Sequence, residues 1–294
     1  MSASFYIDKI LPANSYSQVF EDLSRWKEEY KIIVKEIHPD VCNDERCSAA
    51  ILKLNKFKEQ LENGIDFTDG ILNGKYFIKY CVYSADRKLL SLNRSNYLKL
   101  VSLKDESSRH FQKYLPEILD TERGNEYYLQ YPTRAIPISA YQNAELRHVN
   151  WILSRLLEFS CWINQNHLCH AGINPDSIFI VPENHGIICT SFFHLTELDM
   201  KLKTVTGKYI HFYPSTVTID KMASSTIDTT LSKKTAIYLL GDCSGNGAKL
   251  RGTLPEEYLD FLQRIDYNPL ECYQTFRNIL SKHFNTKEFH ELKI

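Results

Sequence analysis

The chain has no charge to spare. Its 294 residues set 35 Lys and Arg against 36 Asp and Glu, a net charge of -1. A protein that neutralises many phosphates carries a clear basic excess, so no nucleic-acid partner is expected. There is also no apolar run near the ~18 residues that a membrane span requires, so no membrane partner is expected. The opening residues, MSASFYIDKI, show no basic start followed by an apolar stretch, and no secretory signal is expected there. A cytoplasmic protein is the expectation. None of the 8 cysteines forms a CxxC pair, and several lie in apolar segments where free cysteine behaves as a small hydrophobe. Reduced thiols are therefore expected. Cys42 and Cys47 lie near His38, and Cys169 precedes His170, but neither grouping completes a tetrahedral ligand set. No metal and no cofactor are expected.

What is present begins with an ordinary globular composition. A hydrophobic content of 43% allows a sizeable core, and the length suits one large domain or two. A long helical pattern ends at Glu62-Asn63-Gly64, where glycine is the usual helix stop. Residues 65–133 then carry short β-like runs such as Tyr76–Tyr83. From about residue 134 the chain reads as mainly helical, with strand-like runs at Ile178–Val181 and Gly186–Cys189.

In the first module, Gln18–Ile37 reads as one helix with Leu23, Trp26, Tyr30, Ile33, Val34 and Ile37 on a single buried stripe. Lys27, Lys31 and Lys35 fall four apart and stack into a basic ridge, diluted by Glu28, Glu29 and Glu36. The helix must stop at His38-Pro39-Asp40, because proline disfavours helical geometry in the residue before it. A second helix follows from about Ser48 to Glu62, with Ala50, Leu54, Phe57 and Leu61 on its apolar face. Two such helices form an antiparallel hairpin, each covering the other's stripe.

Helix, His-Pro-Asp loop and helix together resemble the J domain of DnaJ-type co-chaperones. The stretch Lys53–Leu61 resembles the family's KxNxAYxxL-type segment, and Phe5–Leu11 resembles its short first helix. The resemblance covers residues 5–64. It implies a DnaK-type heat-shock chaperone as partner. Lys27, Lys31 and Lys35 would steer onto an acidic groove of that ATPase, and His38, Pro39 and Asp40 would make the activating contacts. The usual short fourth helix has no evident counterpart.

Further along, His170-Ala171-Gly172-Ile173-Asn174-Pro175-Asp176-Ser177-Ile178-Phe179-Ile180 follows an apolar helix over Val149–Ile163 and precedes two strands. This arrangement resembles the catalytic-loop region of protein kinases. The resemblance implies that the base aspartate falls on Gly172, the phosphate-contacting lysine on Asn174 and the metal-binding asparagine on Ser177. The aspartate of the DFG segment falls on Ser191. A strand over Leu89–Asn93 places Asn93 near the usual strand lysine, and Glu106 stands for the glutamate of helix C. Gly70 and Gly74 are the glycines in the region of the Gly-rich loop, and Ala236 takes the aspartate position of helix F. His170 is read as a packed histidine and Asp176 as a turn residue. Phosphoryl transfer relies on positioning and on Mg²⁺, and both supports are missing.

The expectation is an α+β multidomain protein. Residues 1–64 form an all-α J-domain helical hairpin. Residues 65–294 form a bilobal kinase-like fold, with a small β-rich lobe over about 65–133 and a larger helical lobe over about 134–294. The expected function is that of a non-enzymatic co-chaperone with no catalytic residue, whose pseudokinase part binds a protein client or scaffold. Two alternatives stand beside it. One is an atypical kinase or other phosphotransferase with rearranged metal ligands, and the other is an interaction protein whose J-like domain is inert.

Overall fold

The computed structural model describes residues 3–13, 18–21, 25–62, 71–73, 76–82, 87–119, 126–132, 135–141 and 143–284. In chain order the elements are α1 (Ala3–Ile10), α2 (Trp26–Ile37), α3 (Cys47–Glu62), β1 (Ile71–Asn73), β2 (Tyr76–Val82), α4 (Arg87–Val101), α5 (Glu106–Phe111), β3 (Glu117–Leu119), β4 (Glu126–Pro132) and β5 (Ile136–Pro137). They continue with α6 (Leu146–Gln165), β6 (Leu168–Cys169), β7 (Ile178–Val181), β8 (Gly186–Cys189), β9 (Thr196–Glu197), α7 (Ser215–Ile219), α8 (Ser225–Leu239), α9 (Glu256–Gln263) and α10 (Pro269–His283). The chain divides into two compact units, one of residues 1–87 with 118–133, the other of residues 88–117 with 134–294.

In the first unit, α1, α2 and α3 share a small core. Ile7, Ile10, Trp26, Ile33, Ile37, Ala50, Leu54 and Phe57 are all buried in it. Polar ties fix the angles: the Tyr30 hydroxyl donates to Asn55 Oδ1 at 2.6 Å, and Lys53 Nζ donates to the Leu11 carbonyl at 2.6 Å. The helix expected over 18–37 begins only at Trp26. Ahead of it Val19 and Phe20 turn inward, and the Glu21 N–H donates to the Glu29 carboxylate at 2.8 Å, which folds the preceding chain back against the helix. The helix ends at His38, whose φ of -60° and ψ of 136° are the extended values a residue before proline adopts. Cys42 and Cys47, expected as free thiols, are joined in a disulfide across the loop that follows. The same unit carries a sheet of order β1-β2-β4-β3. In it β2 pairs antiparallel with β4, from Tyr76 opposite Pro132 to Val82 opposite Glu126.

The second unit is built on α6 and α8. As its pattern predicts, α6 is buried nearly all round, from Val149 to Ile163. Helix α8 is also almost wholly buried, and two of its three charged residues, Asp228 and Lys233, are buried with it. Lys233 Nζ reaches the carbonyls of Phe261 (3.1 Å) and Arg264 (2.6 Å) and the Asp266 carboxylate (2.5 Å), which ties α8 to the end of α9. Strands β5, β7 and β8 form one antiparallel sheet, and β6 pairs with β9.

One expectation is overturned here. The segment Leu89–Asn93 is not a strand but part of α4. The inward residues are Asn93 and Leu100, with Asn96 and Tyr97 half-buried between them, which is a spacing of three and four. Asn93 therefore cannot stand on a strand as the counterpart of the kinase lysine. Glu106 opens α5 as an exposed first-turn residue behind the capping Asp105, so the long helix ahead of the β3–β4 pair is α4. Gly70 and Gly74 lie outside the described residues.

The buried Lys233–Asp266 pair makes a prediction. Lys233→Met keeps the stem but leaves Arg264 as the cation on Asp266 and strips the Phe261 and Arg264 carbonyls of a buried donor. The expected loss is about 2 kcal/mol of unfolding free energy, measured by urea denaturation.

Candidate functional site

The loop from His170 to Ser177 connects β6 to β7 and is held from below by Asp228. Its carboxylate accepts the backbone N–H of His170 at 2.7 Å and of Ala171 at 2.8 Å. Burial pushes the Asp228 pKa up to about 6, against the lowering effect of those two donors. Asp228 stands one turn in from the N-terminus of α8.

Above Asp228 stands a column of rings. His170 is fully buried and meets Phe192 edge-on, with ring centres 5.7 Å apart. Phe192 meets Tyr97 of α4 at 5.5 Å. Asn96, on the same helix, donates from Nδ2 to the carbonyls of Phe192 (2.7 Å) and Leu195 (3.2 Å). Helix α4 therefore grips the segment that follows β8. Asn93, one turn earlier on α4, is fully buried. Its carboxamide brings no charge to that turn of α4.

Asn174 and Ser177 spend most of their hydrogen bonds within the loop. Asn174 Oδ1 accepts the N–H groups of Asp176 (2.9 Å) and Ser177 (3.1 Å), while its Nδ2 donates to the Gly172 carbonyl at 2.9 Å. Ser177 Oγ accepts the Asn174 N–H at 3.0 Å and donates to the same Gly172 carbonyl. Asp176 is ion-paired with Lys208. Ser191 sits at a left-handed φ of 64° at the end of β8.

At Gly172 the absence is steric as well as chemical. A Cβ added there would lie 2.8 Å from the Ser191 carbonyl oxygen, 3.0 Å from His194 Cδ2 and 3.2 Å from His170 Cε1. The place where a base aspartate would stand is filled by neighbours. His194 in turn contacts Thr206 Oγ1 at 3.1 Å, and the Tyr213 hydroxyl donates to the Ala171 carbonyl at 2.5 Å. Among the described residues no group of three His, Cys, Asp or Glu side chains is placed to hold a metal ion. Reading the residues alone missed Asp228, Asn96 and Tyr97. An aspartate inside an otherwise apolar helix was the one available signal.

The other candidate surface lies in the first unit. His38, Pro39 and Asp40 are all exposed, and the Asp40 N–H donates to His38 Nδ1 at 3.3 Å. The carbonyl of His38 accepts the N–H groups of Val41 and Cys42, both at 2.8 Å, which shapes the turn. Lys27, Lys31 and Lys35 are exposed on α2 and form no ion pair among the described residues. Glu28 is engaged by Arg25 at 2.8 Å, and Glu29 by the Glu21 backbone. Two of the three glutamates that dilute the ridge are therefore already occupied.

No protein-family model matches the chain, and no curated protein sequence does. Among solved structures it is similar to vaccinia related kinase 3, with a TM-score of 0.52 and 11% identity over 70% of this chain and 80% of that one. ROP2 from Toxoplasma gondii, described as a virulence factor with a protein-kinase fold and no enzymatic activity, aligns at 17% identity over 70% of this chain and 74% of that one, with a TM-score of 0.46. The chain has a protein-kinase-like fold. No described helix is long and apolar enough to cross a membrane.

Two predictions follow from the packed loop. Gly172→Asp overfills the site and is expected to lower the unfolding free energy by about 1–3 kcal/mol in denaturant titration. The second concerns pH. Burial holds His170 and His194 neutral, with pKa values near 3 and 4 in the folded chain. In the unfolded chain both titrate near ~6.5, so below that pH the unfolded state takes up two protons that the folded state refuses. Each imidazole then costs up to about 1.4 kcal/mol per pH unit. Asp228 acts in the opposite sense below its pKa of about 6, because the folded state protonates it before the unfolded state does. The net expectation is a fall of about 1.4 kcal/mol per unit from pH 6 to pH 4. His194→Asn should flatten that slope in urea unfolding curves.

Proposed function

We propose that this protein is a non-enzymatic co-chaperone of a DnaK-type heat-shock chaperone, working in the cytoplasm. In this reading residues 1–64 act as a J domain. Residues 65–294 are a catalytically silent kinase-like module, with a small lobe over about 65–133 and a large lobe over about 134–294, that binds a protein client or scaffold.

The observation that carries the reading is the exposed His38-Pro39-Asp40 turn at the end of a helix whose Lys27, Lys31 and Lys35 face solvent. The turn is presented by a packed helix pair, so its geometry is set before any partner arrives. Exposed lysines on one helix face raise the encounter rate with an acidic groove, and short contacts at the turn then supply specificity. The silence of the second module is supported by Gly172, Asn174, Ser177 and Ser191, where the catalytic loop of a kinase places its base and its phosphate and metal contacts. Folds do not fix functions, and the binding role of the module is drawn from its packing and from the absence of those groups.

A single-turnover ATPase assay with the cognate chaperone tests the proposal. The wild-type protein is expected to accelerate hydrolysis by about tenfold or more, and His38→Gln to abolish the acceleration, a loss of at least about 1.4 kcal/mol of barrier lowering. Equal rates with wild type and His38→Gln would remove the co-chaperone reading. Replacing Lys31 and Lys35 by Glu should slow the effect most at low salt, since screening already weakens it above about 0.15 M.

A further inference from the structure

We propose that the cleft between α6 and α10 is a docking site for an extended acidic peptide, separate from both surfaces above and independent of the co-chaperone reading. The cleft has a volume of about 390 Å³, and Arg147, Trp151, Arg155, Glu158, Arg277 and Phe284 are among the residues that line it. It lies wholly within the second unit.

The arrangement follows from α6. Arg147, Trp151 and Arg155 are spaced four apart and share one helix face. At 1.5 Å per residue, the two arginines stand about 12 Å apart along the axis with the indole between them. Trp151 is fixed by stacking on His185, with ring centres 4.5 Å apart and planes 5° from parallel. Arg277 comes from α10 and makes no ion pair among the described residues.

Charge decides the ligand class. Three guanidinium groups face one carboxylate, Glu158, and that carboxylate is already engaged by Arg155 at 2.9 Å and by the Tyr273 hydroxyl at 2.6 Å. Arg147 leans on Glu145, outside the cleft, in a pair that is about half-exposed on both sides. A surface pair of that kind is worth at most about 1 kcal/mol, so an incoming acid can replace it. The cleft therefore offers two positive charges in excess around an aromatic floor of Trp151 and Phe284. An extended chain advances about 3.3 Å per residue, so two acids three or four positions apart cover the roughly 12 Å from Arg147 to the Arg155 turn, with Arg277 on α10 lining the other side of the cleft. An aromatic residue between them would lie on the floor.

The test is fluorescence anisotropy on the intact chain with labelled Ser-Glu-Ser-Phe-Ser-Glu-Ser and with its copy carrying Gln for both Glu. The acidic peptide is expected to saturate at about 10–100 μM, and the Gln copy to bind about tenfold more weakly or less. Arg277→Glu, and Arg147→Glu with Arg277→Glu, should weaken the acidic peptide by at least about tenfold while leaving the far-UV melting curve unchanged. The proposal is overturned if the Gln copy binds as tightly, or if nothing saturates by about 1 mM. It is also overturned if the folded double variant binds like wild type. Should a variant fail to fold, the two peptides compared on the wild-type protein decide the matter. The chaperone ATPase assay reads the other unit, so the two proposals fail separately.

Discussion

The second unit depends on one carboxylate. Asp228 is buried in α8, and it is held there by two backbone N–H groups of the His170–Ala171 turn. Neither partner is easy to replace. Without Asp228 two amides would be left unpaired in an apolar interior, and without the amides a buried carboxylate would stand alone. The turn and the helix therefore specify each other, and the ring column of His170, Phe192 and Tyr97 is built upward from that joint. Asn96 closes the assembly at the top by donating to the segment after β8. The arrangement explains why a loop with Gly172, Asn174 and Ser177 in place of charged groups keeps a defined shape.

That shape also leaves little room beside Gly172. Its hydrogen-bonding side chains point into the loop rather than out of it. Asn174 and Ser177 close on the Gly172 carbonyl, and the flank of Gly172 is occupied by the Ser191 carbonyl and the His194 ring. Interiors this closely packed do not accept an added side chain without a shift of their neighbours. Placing an acid at position 172 would therefore require changes at positions 191 and 194 as well.

Much of this was legible in the residues, and what escaped shared one cause. Apart from Leu23 and the side chain of Leu61, which lie outside what is described, the stripes of the first module, the proline-enforced end of α2 and the buried helix α6 follow from periodicity and punctuation, where apolar means inward. Helix α4 escaped because its deciding residues are polar and yet face inward. Asn93 is buried and Asn96 is half-buried, so the run Leu89–Leu92 reads as an apolar strand when the polar positions are assigned to solvent. Asp228 escaped for the same reason. The Cys42–Cys47 bridge escaped differently, because a separation of 5 residues in a loop carries no signature until the loop's path is known.

The two units use buried and exposed polarity in opposite ways. In the second unit, Asp228, Lys233, His170 and Asn174 are turned inward and hold elements together, while the surplus charge of Arg147 and Arg277 lies along an open cleft. In the first unit the core is almost purely apolar, and the ionisable groups Lys27, Lys31, Lys35, His38 and Asp40 face solvent. A buried polar group serves one arrangement, because any change of partner leaves it unpaired. An exposed one can exchange water for a partner at little cost. Function in this chain is therefore to be sought where the charges face outward, and in the second unit the inward polarity holds the elements that carry Arg147 and Arg277.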